Sequence, residues 1–312
     1  MPFNKEPLRP VTDAEREAYT RDGVVLLRDV FDPEWLESLV PSAKKIAIDG
    51  EDLGLLPSVP GRYMSRVLPE YRRFIFESPM AQAAAQAIGS SKATFYFEEF
   101  FAKPPKSDSK TIWHCDRMGW PVSGEMIPSL WIPLHDCKAE NTLEVILGSH
   151  TQKVPYWLFG PNARKMIKPD DRMPHPNEEK LRADPSNVFK QWDMNIGDML
   201  VLHPRVLHYS SGNSADTWRI AISARIFGDD VRWAPSPECI NLAGVSFDEM
   251  VPGEAPQGPC LPLLWSEDGA RDGDSEYPKG FSTRWSSERQ DNVNEDALFQ
   301  EMLKKQQMAK AS

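Results

Sequence analysis

Short apolar segments separated by turn residues occupy the middle of this chain and constrain its fold more than any other feature. We predict strands over residues 94–103, 113–116, 130–134, 143–147, 199–203, 205–210 and 218–227. The first of them ends at a Pro-Pro pair, which cannot continue the hydrogen bonding of a sheet. Many short strands with turn signals between them are typical of a double-sheet jelly roll. We therefore predict a mainly β fold, a cupin-like double-stranded β-helix (jelly roll) with flanking α-helices.

Helical patterns and one more strand precede these segments, and one helix follows them. Thr12 and Glu15 have the spacing of a capping box, which predicts a helix that begins after Thr12. Pro41 lies inside a second helical pattern, where it predicts a kink or a restart. The remaining predicted elements are a strand over 24–27 and helices over 34–49, 80–88 and 295–310.

Composition argues against two classes of partner. The chain has 312 residues and a formal net charge of −10, whereas a nucleic-acid-binding protein needs a basic face. No apolar run approaches the length of a membrane span, and the N-terminal residues lack the pattern of a signal peptide. The four cysteines form no Cys-x-x-Cys pair, which is typical of reduced thiols. We expect a cytoplasmic protein that binds neither nucleic acid nor membrane.

A histidine and an aspartate, His114 and Asp116, are separated by one residue in a predicted strand. Residues i and i+2 of a strand project from the same face, so the imidazole and the carboxylate point into one space. A distant second histidine would complete the 2-His-1-carboxylate triad of non-haem Fe(II) oxygenases. His208, on a later predicted strand, is the candidate, and His203 is its rival. The alternative for His114 and Asp116 is a hydrogen-bonded polar pair without a metal.

An arginine, Arg219, begins the predicted strand that follows His208. A buried arginine presents a rigid fork that suits a carboxylate. Here the carboxylate would be the distal one of 2-oxoglutarate, whose other end chelates iron. A structural ion pair is the alternative interpretation of Arg219.

Several segments, in their order along the chain, resemble the phytanoyl-CoA dioxygenase family of Fe(II)/2-oxoglutarate oxygenases. They are YTRDGVVLLRDVFDPEWLESL at 19–39, Lys103-Pro104-Pro105, Trp113-His114-Cys115-Asp116, LWIPL at 130–134, NTLEVILGSH at 141–150, Gly197-Asp198, His208-Tyr209-Ser210 and Arg219. The resemblance covers roughly residues 12–233. It departs at Thr142 and Leu147, where the family usually has glycine and proline, and neither departure touches a ligand.

The resemblance implies a role for each matching polar residue. His114, Asp116 and His208 would bind Fe(II). Arg219 would pair with the distal carboxylate of 2-oxoglutarate, with help from Ser210. Because Asp116 is retained, oxygen transfer is expected rather than halogenation, since halogenases of this superfamily lack that carboxylate and leave room for a halide.

Two more residues belong to the implied cosubstrate pocket. Trp131 would line the pocket, although core packing alone explains an aromatic residue in a buried strand equally well. Glu99, on the predicted strand that ends at Lys103, would face the same cavity. Arg225 shares a strand face with Arg219, but a surface salt bridge explains it better than a bound substrate anion.

We interpret residues 1–312 as one oxygenase domain, with a core over 12–233, an insertion at about 153–190 and a C-terminal extension over 234–312. The expected cofactors are Fe(II), 2-oxoglutarate as cosubstrate, and O2. The expected reaction is oxidation, by default hydroxylation, of a small organic molecule such as a natural-product intermediate. The alternatives are a non-catalytic partner subunit or binding protein, and a cupin-like metalloenzyme without 2-oxoglutarate. The sequence decides neither the substrate nor whether the protein is a homodimer.

Overall fold

The computed structural model describes residues 3–49, 64–66, 68–117, 120–152, 154–156, 174–235, 250–258 and 260–272. The predicted C-terminal helix and part of the predicted insertion lie outside these residues. Among the helices in the described part, none is long and apolar enough to cross a membrane.

Helices and strands alternate unevenly along the chain, with most helices at the N-terminal end. The helices are α1 (Asp13–Asp22), α2 (Pro33–Glu37), α3 (Val40–Asp49), α4 (Pro69–Glu77), α5 (Met80–Ile88) and α6 (Glu178–Ala183). The strands are β1 (Val24–Leu27), β2 (Lys92–Lys103), β3 (Thr111–His114), β4 (Val122–Ser123), β5 (Ser129–Pro133), β6 (Leu143–Ile146), β7 (Phe189–Lys190), β8 (Met199–Leu202), β9 (His208–Ser210), β10 (Arg219–Phe227), β11 (Arg232–Trp233) and β12 (Leu263–Ser266).

Two antiparallel sheets form the body of the described structure. The larger has six strands in the order β1-β8-β5-β10-β2-β12, and the smaller has four in the order β3-β9-β6-β7. β11 and β4 form a separate antiparallel pair. Every neighbouring pair of strands in the larger sheet is non-consecutive in sequence, as in a jelly roll, and in the smaller sheet only β6 and β7 are consecutive. The mainly β architecture with helices packed outside confirms the predicted fold class.

The central strand β10 shows how the larger sheet separates the helical core from the site. Four alternate residues pack with the helices in the main hydrophobic core, namely Ile220, Ile222, Ala224 and Ile226. The intervening residues project from the opposite face, because side chains alternate along a strand. These are Arg219, Ala221, Ser223 and Arg225, and Ala221 packs there with Val145 of the smaller sheet. The polar residues of β10 therefore lie between the two sheets.

The first helix begins and ends as its sequence predicts. The side chain of Thr12 accepts a hydrogen bond from the backbone N–H of Glu15, and the Glu15 carboxylate accepts one from the backbone of Thr12. Gly23 closes the helix with a φ of +74°. A Cβ atom at Gly23 would lie 2.4 Å from Nδ1 of His150, so both the backbone angle and the close approach require glycine.

Other elements differ from the sequence-based prediction. The predicted helix over 34–49 is two helices, and Pro41 lies in the first turn of α3, where its missing N–H is not needed. The strand predicted over 205–210 is shorter, because Pro204 and Arg205 form a turn before β9. The C-terminal extension contains a strand that was not predicted from the sequence, since β12 pairs with β2 at the sheet edge. The helix α4 was not predicted from the sequence either.

Candidate active site

The three predicted metal ligands come together at one end of the smaller sheet. His114 ends β3 and His208 begins β9, and they face each other across the antiparallel pair. Their ring centroids are 4.2 Å apart. Oδ1 of Asp116 lies 3.5 Å from Nε2 of His114 and 3.8 Å from Nε2 of His208. The candidate ligand atoms of the three residues all lie within 4.8 Å of one another.

The backbone at Asp116 differs from the prediction, although its side chain does not. β3 ends at His114, and Asp116 lies in the turn that follows the strand. The pairing of β3 with β9 is irregular between Thr111 and His114. The turn, and not strand alternation, therefore places the Asp116 carboxylate beside the imidazole of His114.

Both imidazoles are held through the ring nitrogen that points away from Asp116. Nδ1 of His114 lies 2.7 Å from the carbonyl oxygen of Ile112, and Nδ1 of His208 lies 3.1 Å from that of Val206. An Nδ1–H that donates to a carbonyl leaves the Nε2 lone pair for a metal. Burial and the neighbouring His114 lower the pKa of His208 to about 4, so this imidazole is neutral at physiological pH. Two histidines and one carboxylate in this arrangement fit Fe(II).

The second oxygen of the Asp116 carboxylate is occupied by the protein. The Ser129 hydroxyl donates to Oδ2 at 2.5 Å, and Nη2 of Arg225 lies 3.4 Å from the same oxygen. Burial raises the pKa of Asp116, but Arg225 and the two histidines outweigh it and hold that pKa well below its usual range. The carboxylate is therefore ionised, as a metal ligand must be.

Arg225 corrects the sequence-based interpretation of a surface salt bridge. It is only 5% exposed, because β10 is buried along its whole length. Its Nη1 lies 2.6 Å from Oε2 of Glu99, and its guanidinium carbon lies 4.7 Å from the centre of the Phe97 ring. The sequence did place Arg225 on the same strand face as Arg219, and that inference agrees with the structure.

Arg219 lies beside a second buried cation that the sequence analysis did not assign. Arg219 and Lys103 are direct partners in the pairing of β10 with β2. Nη1 of Arg219 donates to Oγ of Ser210 at 2.7 Å, and Nζ of Lys103 donates to the same oxygen at 3.1 Å. The sequence does place Lys103 at the end of a long predicted strand, before a Pro-Pro pair. It does not indicate that this strand pairs with the strand of Arg219.

The recorded hydrogen-bond partners of the two cations are uncharged oxygen atoms. Lys103 donates to Oγ and the carbonyl of Ser210 and to the carbonyl of Ser211, and Arg219 donates to Oγ of Ser210 and the carbonyl of Asn141. Arg219 is 2% exposed, and its buried Nε has no hydrogen-bond partner. Within the described part of the chain, neither Arg219 nor Lys103 forms a salt bridge with a carboxylate. Burial lowers the pKa of Arg219 to about 10 and that of Lys103 to about 8, so both are still charged at neutral pH. A buried, unpaired pair of cations fits the distal carboxylate of 2-oxoglutarate.

The other two predicted pocket residues lie on the face between the sheets. Glu99 and Trp131 flank Ser223 on the two strands beside β10, and Ser223 lies between Arg219 and Arg225. The ring of Trp131 lies 6.0 Å from the guanidinium carbon of Arg219. Glu99 instead pairs with Arg225, which also contacts Asp116. Their assignment to cosubstrate binding stays a prediction.

His203, the rival third ligand, belongs to a different cluster. Its Nε2 lies 3.4 Å from Oε2 of Glu125, and its ring centroid lies 4.8 Å from that of His150. Among the described residues, the group that could hold a metal contains His208 and not His203. Nε2 of His150 donates to the carbonyl oxygen of Thr20 at 3.2 Å, which anchors the end of α1.

Comparison with known proteins points to one family. The profile of the family described as phytanoyl-CoA dioxygenase (PhyH) matches residues 19–221. The Mus musculus protein named phytanoyl-CoA dioxygenase domain-containing protein 1 is 28% identical over 171 residues, which are 52% of this chain and 55% of the mouse protein. The match thus spans only about half the length of that curated relative.

Solved structures share the fold at low sequence identity. The non-haem α-ketoglutarate-dependent carbocyclase SnoK from nogalamycin biosynthesis is 18% identical, with a TM-score of 0.61 over 84% of this chain and 100% of its own. The epimerase SnoN, in complex with Fe3+, α-ketoglutarate and nogalamycin RO, is 21% identical, with a TM-score of 0.62 over 81% of this chain and 98% of its own. The family profile covers most of the 312 residues. This chain therefore belongs to the phytanoyl-CoA dioxygenase family.

Proposed function

We propose that this protein is a non-haem Fe(II)/2-oxoglutarate-dependent dioxygenase that hydroxylates a small organic molecule. The observation that carries the proposal is the convergence of Nε2 of His114, Nε2 of His208 and Oδ1 of Asp116. Family membership supports the same assignment. When bound, Fe(II) with 2-oxoglutarate and O2 supplies the oxidising chemistry, with succinate and CO2 as coproducts.

The protein's own contribution begins with the three ligands. His114 and His208 present their Nε2 atoms because carbonyl groups hold their Nδ1 atoms. Asp116 supplies the negative charge, and Arg225 and Ser129 fix its orientation. These three residues would hold Fe(II) and would leave it open to cosubstrate and O2.

Arg219, Lys103 and Ser210 would orient the cosubstrate. Both cations donate to the hydroxyl oxygen of Ser210. This contact lies at the end of β10 opposite to Arg225. A dicarboxylate bound there by its distal end would extend along the face between the sheets toward the metal ligands. Trp131, beside Arg219, would exclude water from this path.

The retained carboxylate supports oxygen transfer over halogenation. Asp116 is 6% exposed and fills the position that a halide would need. Hydroxylation is the simplest outcome for such a site, and the same residues serve desaturation, cyclisation or epoxidation. SnoK and SnoN are described as enzymes of nogalamycin biosynthesis, which supports a natural-product intermediate as the substrate class.

Two other functions make different predictions. A non-catalytic partner subunit would keep the fold but form no succinate. A cupin-like metalloenzyme would bind Fe(II) but would not need 2-oxoglutarate. Arg219 and Lys103, two buried cations with no carboxylate partner among the described residues, count against it.

The test is formation of succinate from 2-oxoglutarate by the purified full chain with Fe(II) and O2, followed by a small-molecule screen for products that gain one oxygen atom. We expect succinate from the wild-type protein, an increase with a true substrate, and none from D116A or H208A. H203A serves as the control and should retain turnover, because His203 lies outside the ligand cluster. Wild-type protein that binds Fe(II) but never forms succinate with any member of the screen would refute the proposal.

A further inference from the structure

The Asp116 carboxylate is held from behind by side chains of two other strands. Ser129 begins β5, and Arg225 lies opposite it on β10. Both reach Oδ2 of Asp116, while Oδ1 faces the two histidines. The two oxygens of one carboxylate thus have separate partners.

Arg225 is itself held through both of its terminal nitrogens, although its buried Nε has no hydrogen-bond partner. Its Nη1 lies 2.6 Å from Oε2 of Glu99 and donates to the carbonyl of Ser223 at 3.2 Å. The ring of Phe97 supports the face of the guanidinium. A planar fork held in this way bridges two carboxylates with little freedom to move.

We propose that Arg225, Glu99 and Ser129 form a clamp that positions Asp116 as a ligand through one oxygen only. Oδ1 is presented to the metal, and Oδ2 is withheld from it by the hydroxyl and the guanidinium. These are positioning residues, since they act through Asp116. The inference rests on the proposed metal site and goes beyond it by assigning residues outside the three ligands and the cosubstrate anchor.

The effect of removing Arg225 on metal affinity distinguishes a positioning role from a purely electrostatic one, because the two predict changes of opposite sign. A cation beside the site repels Fe(II), so R225M should strengthen metal binding if charge were its only contribution. If Arg225 positions Asp116, its loss should weaken binding, as loss of a residue that orients a ligand commonly does, by about 10- to 100-fold. Two further variants keep the net charge of the site unchanged. S129A removes only a hydroxyl, and R225M/E99Q removes one positive and one negative charge.

The experiment is anaerobic titration of the full-length apo-protein with Fe(II), with the dissociation constant and the melting temperature of the apo-protein as readouts. We expect S129A and R225M/E99Q each to bind Fe(II) about 10- to 100-fold more weakly than wild type. R28M is the matched control, because Arg28 also pairs with a buried aspartate, Asp198, at 2.6 Å but outside the site. It should lower the melting temperature and leave the Fe(II) affinity unchanged.

The outcomes separate this inference from the proposed function. Wild-type affinity in both charge-neutral variants would overturn the clamp, and so would an affinity loss in R28M of the same size as in S129A. If R225M/E99Q fails to fold, S129A alone decides, since it only deletes one oxygen atom. Failure of the wild-type protein to bind Fe(II) would instead overturn the proposed function.

Discussion

Replacement of Arg219 by methionine tests the cosubstrate anchor. Arg219 is almost completely buried, yet its Nε has no partner, and within the described residues it forms no salt bridge. Burial lowers its pKa only to about 10, so it carries a positive charge at neutral pH. Such a group stabilises a bound carboxylate more than it stabilises the apo-protein. R219M should therefore lose affinity for 2-oxoglutarate without losing the fold.

The expected magnitude follows from the two cations that share Ser210. Truncating one partner of a buried charge pair costs about 2–5 kcal/mol, which is roughly 30-fold to 4,000-fold in a dissociation constant. Lys103 stays in R219M and donates to the same Ser210 oxygen. We therefore expect the lower end, about 30- to 100-fold weaker binding of 2-oxoglutarate.

The assay compares two ligands on the Fe(II)-loaded protein by anaerobic calorimetry. 2-Oxopentanoate has the same carbon chain as 2-oxoglutarate but lacks the distal carboxylate. R219M should weaken binding of 2-oxoglutarate and leave the affinity for 2-oxopentanoate nearly unchanged. An equal loss for both ligands would refute the anchor, because it would mean that Arg219 acts on the pocket as a whole. R28M is again the control that alters an arginine outside the site.

Three further predictions concern other residues. Burial and the charge of Arg219 lower the pKa of Lys103 to about 8. The affinity for 2-oxoglutarate should therefore be highest below pH 8 and should fall above pH 8, where the lysine loses its proton. K103M should abolish that part of the pH dependence in the same titration. H203A should bind Fe(II) like wild type, since His203 contacts Glu125 and His150; a lost metal site would show that the wrong histidine has been assigned. G23A should lower the melting temperature more than G89A. Both glycines have φ above +70°, but of the two only Gly23 approaches another side chain, that of His150. We expect G89A to lower the free energy of unfolding by about 1 kcal/mol and G23A by at least twice as much, and equal shifts would contradict the steric argument.

The sequence could predict the cluster of His114, Asp116 and His208, which could hold a metal, because its signals are local or ordered. His114 and Asp116 are two residues apart, and His208 followed from a resemblance whose segments occur in a fixed order. The alternation of β10 correctly placed Arg219 and Arg225 on one face. The local pattern could not predict which strands lie beside β10 in the sheet.

Strand register explains the residues that were assigned wrongly or left out. Lys103 meets Arg219, and Ser129 meets Arg225, only because β2 and β5 flank β10 in a particular register. The surface salt bridge predicted for Arg225 became a buried one, because its partner carboxylates, Asp116 and Glu99, lie on distant parts of the chain. No periodicity within β10 encodes such pairings.

The most direct test of the account is anomalous X-ray diffraction at the iron edge from crystals grown anaerobically with Fe(II) and 2-oxoglutarate. We predict one strong peak in contact with Nε2 of His114, Nε2 of His208 and Oδ1 of Asp116, with the distal carboxylate of the cosubstrate against Arg219. A peak beside His203, or iron bound without Asp116, would contradict it.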